Sequence, residues 1–320
     1  MQKSWYILGS GAIGTLWAAK FSKASIACVL MQRRTQLDQN ECLSLTQTDG
    51  LQVDLPIHQL SLEALCSQKS DSESSSSDQS SNQKLNINKL LICTKSYQTQ
   101  AALKRIAPFL SADANIVLLQ NGMGQHEQIR SLLPTQTIIA ASTTEGAMLE
   151  DTLKVKHTGL GTSQFGSYDA GTKINSDVVN ELTIIGMKQH TNIQETLWKK
   201  LTINCVINPL TAIFNCRNGE LIENTAYRAR AIALSKEVDL IAKNLTLSIS
   251  EADTFEHVVT VAKGTSNNYS SMHQDIKYQR KTEIEFINGY LQHQADTLNI
   301  PLVINLDVLK RIKELEVTGK

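Results

Sequence analysis

Excess charge of either sign is missing: 31 Lys and Arg stand against 31 Asp and Glu in 320 residues, for a formal net charge of zero. Without a basic excess there is no electrostatic footprint for a nucleic acid, and without an acidic one none for a basic partner. Long hydrophobic runs are missing too. None approaches the ~20 apolar residues that a bilayer-crossing helix needs, so no membrane partner is expected. The cysteines Cys28, Cys42, Cys66, Cys93, Cys205 and Cys216 include no C-x-x-C pair, and several sit in apolar runs such as "ACVL" and "LLICT". That pattern predicts buried free thiols in a reducing compartment rather than disulfides. The scattered histidines include no H-x-x-x-H pair, so no metal is expected. The start, "MQKSWYILGSGAIG", lacks the charged segment, apolar core and small-residue cleavage site of a secretory leader, which makes the cytoplasm the expected location.

What is present is an ordinary globular composition, 41% hydrophobic and 19% charged, in a chain long enough for about two domains. The first half alternates short apolar runs with helical patterns, the mark of an α/β, doubly wound parallel sheet. Predicted strands are Trp5–Leu8, Ser25–Gln32, Lys89–Cys93, Asn115–Leu119 and Thr137–Ser142. "ECLSLTQTDG" and "LQVDLPIH" read as an added hairpin, and after Ser142 the runs "LKVKHTG" and "TSQFGSY" read as antiparallel strands. A helix near Ser176–Lys188 is expected to close this domain. From about Thr191 the chain is helix after helix, with periodic segments over Gln194–Phe214, Thr225–Asn244, Glu251–Lys263 and Asn268–Leu298. The expected division is therefore residues 1–190, the sheet domain, and 191–320, an all-helical domain. Ser67–Lys84, "SQKSDSESSSSDQSSNQK", has no apolar periodicity and reads as a mobile surface insertion.

The first strand runs into "GSGAIG": Gly9, Ser10, Gly11, Ala12, Ile13 and Gly14. In a strand–turn–helix setting one glycine makes the tight turn, one admits a pyrophosphate against the backbone, and one lets helix and strand pack. Helix-start N–H groups then bind the phosphates. This is a Rossmann-type dinucleotide signal. At the end of the next strand, "ACVLMQRR", the acid that binds ribose hydroxyls in NAD enzymes is absent. Arg33 and Arg34 stand there instead, which suits the 2′-phosphate of NADP(H). Arg33 is the first choice, Arg34 the second. Lys95 in "ICTKSYQT" and Asn121 in "LLQNGMG" follow later strand ends, where ligands of open α/β sheets lie. Asn121-Gly122 is also an ordinary turn dipeptide.

Lys200, Asn204 and Asn208 recur at i, i+4 and i+8, one slowly drifting line on a helix of about 3.6 residues per turn. Their neighbours Leu201, Ile203, Val206 and Ile207 are apolar. A lysine in such company is expected to have a pKa lowered toward the range of a general acid. Pro209 is expected to end this helix, with Asn218 in the turn beyond. In the second polar block, Asn268 and Ser271 are one turn apart. Asp275, Lys277 and Arg280 read as solvated helix-surface charges. Glu283 precedes the inward-packing "IEFINGYL" and needs a partner, for which Lys200 is the candidate.

The blocks "KLTINCVINPLTAIFNCRNGEL" and "NYSSMHQDIKYQRKTEIEFINGYL", with "LGSGAIG" and "QNGMG", closely resemble the ketopantoate reductase family, from the glycine loop to past residue 290. The serine-rich insertion departs from the family pattern. The resemblance implies a Rossmann domain binding NADP(H), a helical domain, and an active site in the cleft between. It implies NADPH-dependent reduction of 2-dehydropantoate, a small 2-oxo acid, to (R)-pantoate in pantothenate and coenzyme A synthesis. Lys200 would then be the general acid and Glu283 the carboxylate orienting it, the substrate or the cofactor. Asn204, Asn208, Asn218 and Ser271 match groups that hold the substrate's hydroxyl and carboxylate. Asn121 and Asn268 match contacts to the nicotinamide end or the substrate, and Lys95 and Arg33 match cofactor contacts. Monomer and homodimer are left equally open.

Overall fold

The computed structural model describes residues 4–34, 37–38, 40–65, 85–245 and 254–318. The serine-rich stretch Ser67–Lys84 and Cys66 lie outside them. The chain divides into two compact units, Met1–Gln120 with Gln125–Ile193, and Asn121–Gly124 with Gln194–Lys320.

The first unit carries strands β1 (Trp5–Leu8), β2 (Cys28–Gln32), β3 (Leu43–Thr46), β4 (Gln52–Leu55), β5 (His58–Ser61), β6 (Ile87–Ile92), β7 (Leu110–Leu118), β8 (Thr137–Thr143), β9 (Gly146–Asp151), β10 (Lys154–Gly159), β11 (Ser163–Ser167) and β12 (Met187–Gln189). One eight-stranded sheet runs β12-β11-β8-β7-β6-β1-β2-β5, and a four-stranded sheet runs β4-β3-β10-β9. From β5 to β8 every neighbour pair is parallel. Parallel strands are buried on both faces, which explains their unbroken apolar runs. The two-residue side-chain period then deals those residues to opposite sides. Ile7, Leu30, Leu91, Val117 and Ile139 join one core with Leu16, Trp17 and Phe21 of the helix Ala12–Lys23. Leu8, Met31, Ile92, Leu118 and Ile138 join the other, with Leu103 of the helix Ser96–Ile106 and Ile129 of the helix Gln125–Leu132.

The five predicted strands are all present, with one late start. β2 begins at Cys28 because Ser25 takes a left-handed backbone, φ 55°, in the turn leaving the first helix. β3 and β4 form the expected antiparallel hairpin, and β11 runs antiparallel to β8. The closing helix is shorter than expected, Ser176–Ile184. Gly186, at φ 94°, breaks it, and the following residues become β12, parallel to β11. Glu181 of this helix is buried, and its carboxylate accepts hydrogen bonds from Trp5 Nε1 at 2.8 Å and Lys89 Nζ at 2.6 Å. It ties the helix to β1 and β6 at once.

The second unit holds the helices Ile193–Phe214, Asn218–Glu223, Thr225–Asn244, Thr254–Gly264, Ser271–Lys277, Ile284–Thr297 and Val303–Thr318. Three expectations are corrected. The first helix does not stop at Pro209; it continues to Phe214. Proline lacks an N–H, so the Cys205 carbonyl one turn back loses its intrahelical donor. Asn288 Nδ2 replaces it at 2.9 Å, and the helix survives. The segment Asn268–Leu298 is two helices, because Gln279 at φ 53° ends the first. Asp275 is not a solvated surface charge: it is buried and pairs with Arg280 Nε at 3.1 Å, closing that helix end. The last helix carries no predicted counterpart. Its start is capped from the Thr225–Asn244 helix by Glu237, whose oxygens accept from Ile304 N and Asn305 N at 2.8 Å each. Cys28, Cys205 and Cys216 are buried free thiols as expected, whereas Cys42 is exposed. No helix among the described residues is long and apolar enough to cross a membrane.

Removing one partner of a buried ion pair strands the other charge in a medium that cannot solvate it. Glu181→Leu should therefore cost roughly 3–5 kcal/mol in urea unfolding; a loss below about 1 kcal/mol would show the pair to be energetically idle.

Candidate active site

In the glycine loop the three glycines divide their work. A Cβ on Gly9, whose φ is 112°, would lie 2.8 Å from Thr94 N. One on Gly14 would lie 1.8 Å from the Gly9 carbonyl oxygen. Both glycines are therefore demanded by the protein's own packing. A Cβ on Gly11 would meet nothing within 4 Å, and Gly11 is exposed at the N-cap of a helix whose start has no side-chain cap. Open space over uncapped N–H groups is what a dinucleotide pyrophosphate requires, so the loop Gly9, Ser10, Gly11, Ala12, Ile13, Gly14 fits that group.

At the end of β2, Gln32 is buried and hydrogen-bonded to Gln59. Arg34 donates to Thr152 Oγ1. Arg33 is exposed and has no hydrogen-bond partner among the described residues. Lys95 sits at the N-cap of the helix Ser96–Ile106. Beside it Gln120 Nε2 donates to the Thr94 carbonyl at 2.8 Å and to Thr99 Oγ1, fastening the ends of β6 and β7 together.

In the helical unit Lys200 and Asn204 are half-buried and Asn208 is buried, flanked by buried Leu201, Cys205 and Val206. The side chains of Asn204 and Asn208 have no hydrogen-bond partner among the described residues. Glu283 is only 5% exposed and precedes the helix Ile284–Thr297. Its Oε2 accepts from Asn121 Nδ2 at 3.3 Å. Backbone geometry delivers that asparagine. Gly122 has φ 80°, and a Cβ there would lie 2.2 Å from the Phe286 carbonyl oxygen. Met123 N donates to that same oxygen at 2.8 Å. The short loop Asn121–Gly124 is thus seated on the helix start next to Glu283.

Two opposed influences set the Lys200 ammonium. Burial, the larger, lowers its pKa, and the Glu283 carboxylate raises it; the balance leaves it at about 8. A lysine so placed is mostly protonated at neutral pH, half-protonated only near pH 8, and can deliver a proton.

The remaining predicted residues cluster in part. Asn218 N donates to the Asn268 carbonyl at 3.0 Å, and Asn218 Nδ2 to Thr265 Oγ1 at 2.9 Å, while Asn218 Oδ1 is buried without a partner. Ser271 and Asn268 are exposed. Ser270, which the sequence reading passed over, caps the helix Ser271–Lys277 and donates to the Asn208 carbonyl at 3.3 Å. It links the stripe to Ser271. Asn288 was missed as well, although a proline inside a helical period does announce a carbonyl four residues back that needs a donor. Lys200, Glu283 and Asn121 come together as one group; no hydrogen bond among the described residues ties Asn204 to it.

Residues 5–170 match the family model described as "Ketopantoate reductase PanE/ApbA", and residues 192–316 match its "Ketopantoate reductase PanE/ApbA C terminal" model. The chain belongs to the ketopantoate reductase family. A 2-dehydropantoate 2-reductase of Vibrio cholerae is 32% identical over 97% of both chains. Among solved structures, a PanE/ApbA family ketopantoate reductase of Ralstonia eutropha superposes with a TM-score of 0.83 at 22% identity over 99% of both chains. A D-mandelate dehydrogenase solved with NADH and anilino(oxo)acetate superposes with a TM-score of 0.85 at 18% identity, again over 99% of both. At those identities the superpositions establish the family fold, an N-terminal Rossmann-type domain followed by a helical C-terminal domain.

Glu283→Gln removes the charge that holds Lys200 up against burial. The ammonium pKa should fall below about 8, read by ¹³Cε lysine NMR titration. An unchanged or raised value would separate the two residues.

Proposed function

We propose that this protein reduces 2-dehydropantoate to (R)-pantoate with NADPH, the step that supplies pantoate for pantothenate and coenzyme A synthesis. The observation that carries the reading is Lys200: an ammonium in apolar surroundings, brought to about 8 by burial and held there by Glu283. The family membership and the activity named for the Vibrio cholerae relative support it.

When bound, the reduced nicotinamide supplies the hydride that reaches C2 of the substrate. The chain's own residues do the rest. The loop from Gly9 to Gly14 cradles the pyrophosphate, and Lys95 and Asn121 complete the dinucleotide contacts. Arg33, whose guanidinium is not engaged as that of Arg34 is, takes the 2′-phosphate. Lys200 Nζ donates a proton to the C2 oxygen as negative charge develops there, so the product leaves as the alcohol. Glu283 keeps Lys200 charged and aimed, itself oriented by Asn121. Asn204 and Asn208 supply amides with unused hydrogen-bonding capacity, and Asn218, Asn268 and Ser271 hold the substrate's hydroxyl and carboxylate. These amides remain polar among apolar neighbours because the ligand completes their hydrogen bonds.

The direct test is loss of NADPH absorbance in the presence of 2-dehydropantoate, against a panel of other 2-oxo acids. No oxidation with 2-dehydropantoate, or faster oxidation with another acid, would sink the substrate assignment. Loss of a general acid typically costs about 10²–10⁴ in rate. Lys200→Ala should therefore lower kcat at least a hundredfold on that scale while NADPH still binds, and near-normal turnover would dismiss the lysine. Reduction needs the protonated amine, so wild-type kcat/KM, which reports the free enzyme, should fall as pH rises through about 8. Arg33→Ala should raise the KM for NADPH far more than that for NADH; equal effects would move the phosphate site elsewhere.

A further inference from the structure

Beside the candidate substrate residues the helical unit carries a set of cations arranged on one tyrosine. Tyr269 lies between Asn268 and Ser270 in sequence and is 36% exposed. Its ring stacks on His273 with centroids 4.3 Å apart, and His273 Nε2 is in turn 2.8 Å from Asn215 Oδ1. The ring is therefore held in place. Around it stand two positive charges, Arg217 Cζ at 5.2 Å and Lys277 Nζ at 5.9 Å from the centroid. Both distances fall within the range of cation–π attraction, about 6 Å.

The two cations differ from their neighbour Arg280, which is neutralised by Asp275. Neither Arg217 nor Lys277 has a carboxylate partner among the described residues. Glu220, the acid on the same turn as Arg217, is engaged by the Arg217 backbone N–H at 2.6 Å. The Arg217 guanidinium also donates to the Asn267 carbonyl at 3.1 Å, so its rotamer is fixed from two sides. Arg217 directly precedes Asn218, whose N–H bonds the Asn268 carbonyl. Lys277 ends the helix that Ser271 begins. The charged surface is thus continuous with the amides and hydroxyl assigned to the substrate, and it adds what they lack, a formal positive charge. In a chain of zero net charge, a fixed local pair of this kind is a device for drawing in an anion.

We propose that Arg217 and Lys277, held on the ring of Tyr269, form a carboxylate-capture surface that recruits the anionic end of the 2-oxo acid and hands it to Asn268 and Ser271. The assignment rests on the reading under Proposed function and adds to it the residues that favour acids over their neutral counterparts. Arg217, fixed by its hydrogen bond to the Asn267 carbonyl, loses little freedom when it meets a carboxylate, so the attraction appears in capture rather than in chemistry.

The experiment compares the full-length wild type with the Arg217→Gln/Lys277→Gln variant. Substrates are 2-dehydropantoate and its uncharged lactone, at low and high KCl. For the carboxylate, KM should rise roughly tenfold, within the span attributed to electrostatic recruitment, with kcat little changed. The salt dependence of kcat/KM should flatten, while the KM values for the lactone and for NADPH stay as they were. Equal loss on the lactone, a rise confined to NADPH, or an unchanged salt dependence would each overturn the proposal. Calorimetric titration with pantoate reads the same surface without turnover. Weaker binding by the double variant supports capture and equal binding refutes it, even if the protein proved to reduce no 2-oxo acid.

Discussion

A lysine ammonium set into an apolar helix face is the constraint around which the helical unit is arranged. Alone, its desolvation would lower the pKa further and leave less of the ammonium to donate a proton. Glu283 supplies the opposing field. That carboxylate is nearly fully buried, so it too must be satisfied, and Asn121 meets part of its need. Asn121 can do so only because Gly122 lets the loop press on the Phe286 carbonyl, where any Cβ would collide. A glycine, an amide, a carboxylate and an ammonium form one chain of dependence, and each link is needed for the next.

A second dependence keeps the lysine's helix whole. Pro209 should break a helix at that point, at a cost of about 3 kcal/mol. Its consequence here is one orphan carbonyl, and the fully buried Asn288 answers it. Asn288 also donates to Asn305 Oδ1 at 3.0 Å, and Asn305 donates back to the Asn288 carbonyl at 3.0 Å. Three helices are joined by this small polar cluster. The helix therefore continues past Pro209 to Thr211, whose hydroxyl meets Ser270 at 2.7 Å and steadies the segment that carries Ser271.

In the sheet unit the organising device is different. Alternate residues of the parallel strands enter separate cores, and the strand ends are sewn together by Gln120, Thr94 and Thr99. Two of the loop glycines serve that packing, and the third, Gly11, is exposed and uncrowded. Steric room at each Cα position thus separates the glycines that the packing demands from the one that it does not.

Much was legible in the residues alone. Period-two and period-3.6 patterns placed the five main strands, the hairpin and most of the helices, because apolar spacing reports directly on which face is buried. The glycine loop, the arginines after β2 and the polar stripe were readable for the same reason: each is a local departure from what burial or propensity would choose. Contacts between distant segments were not. That Pro209 would be tolerated depended on an amide 79 positions later, Asn288. That Asp275 would be buried depended on a turn at Gln279. That Asn121 would serve Glu283 depended on a loop seated by a backbone carbonyl. Sequence by itself determined the elements, the cofactor-type loop and the kinds of groups on offer. Tertiary structure alone decided which of those groups face one another, because hydrogen bonds and charges act across space and leave no periodic trace along the chain.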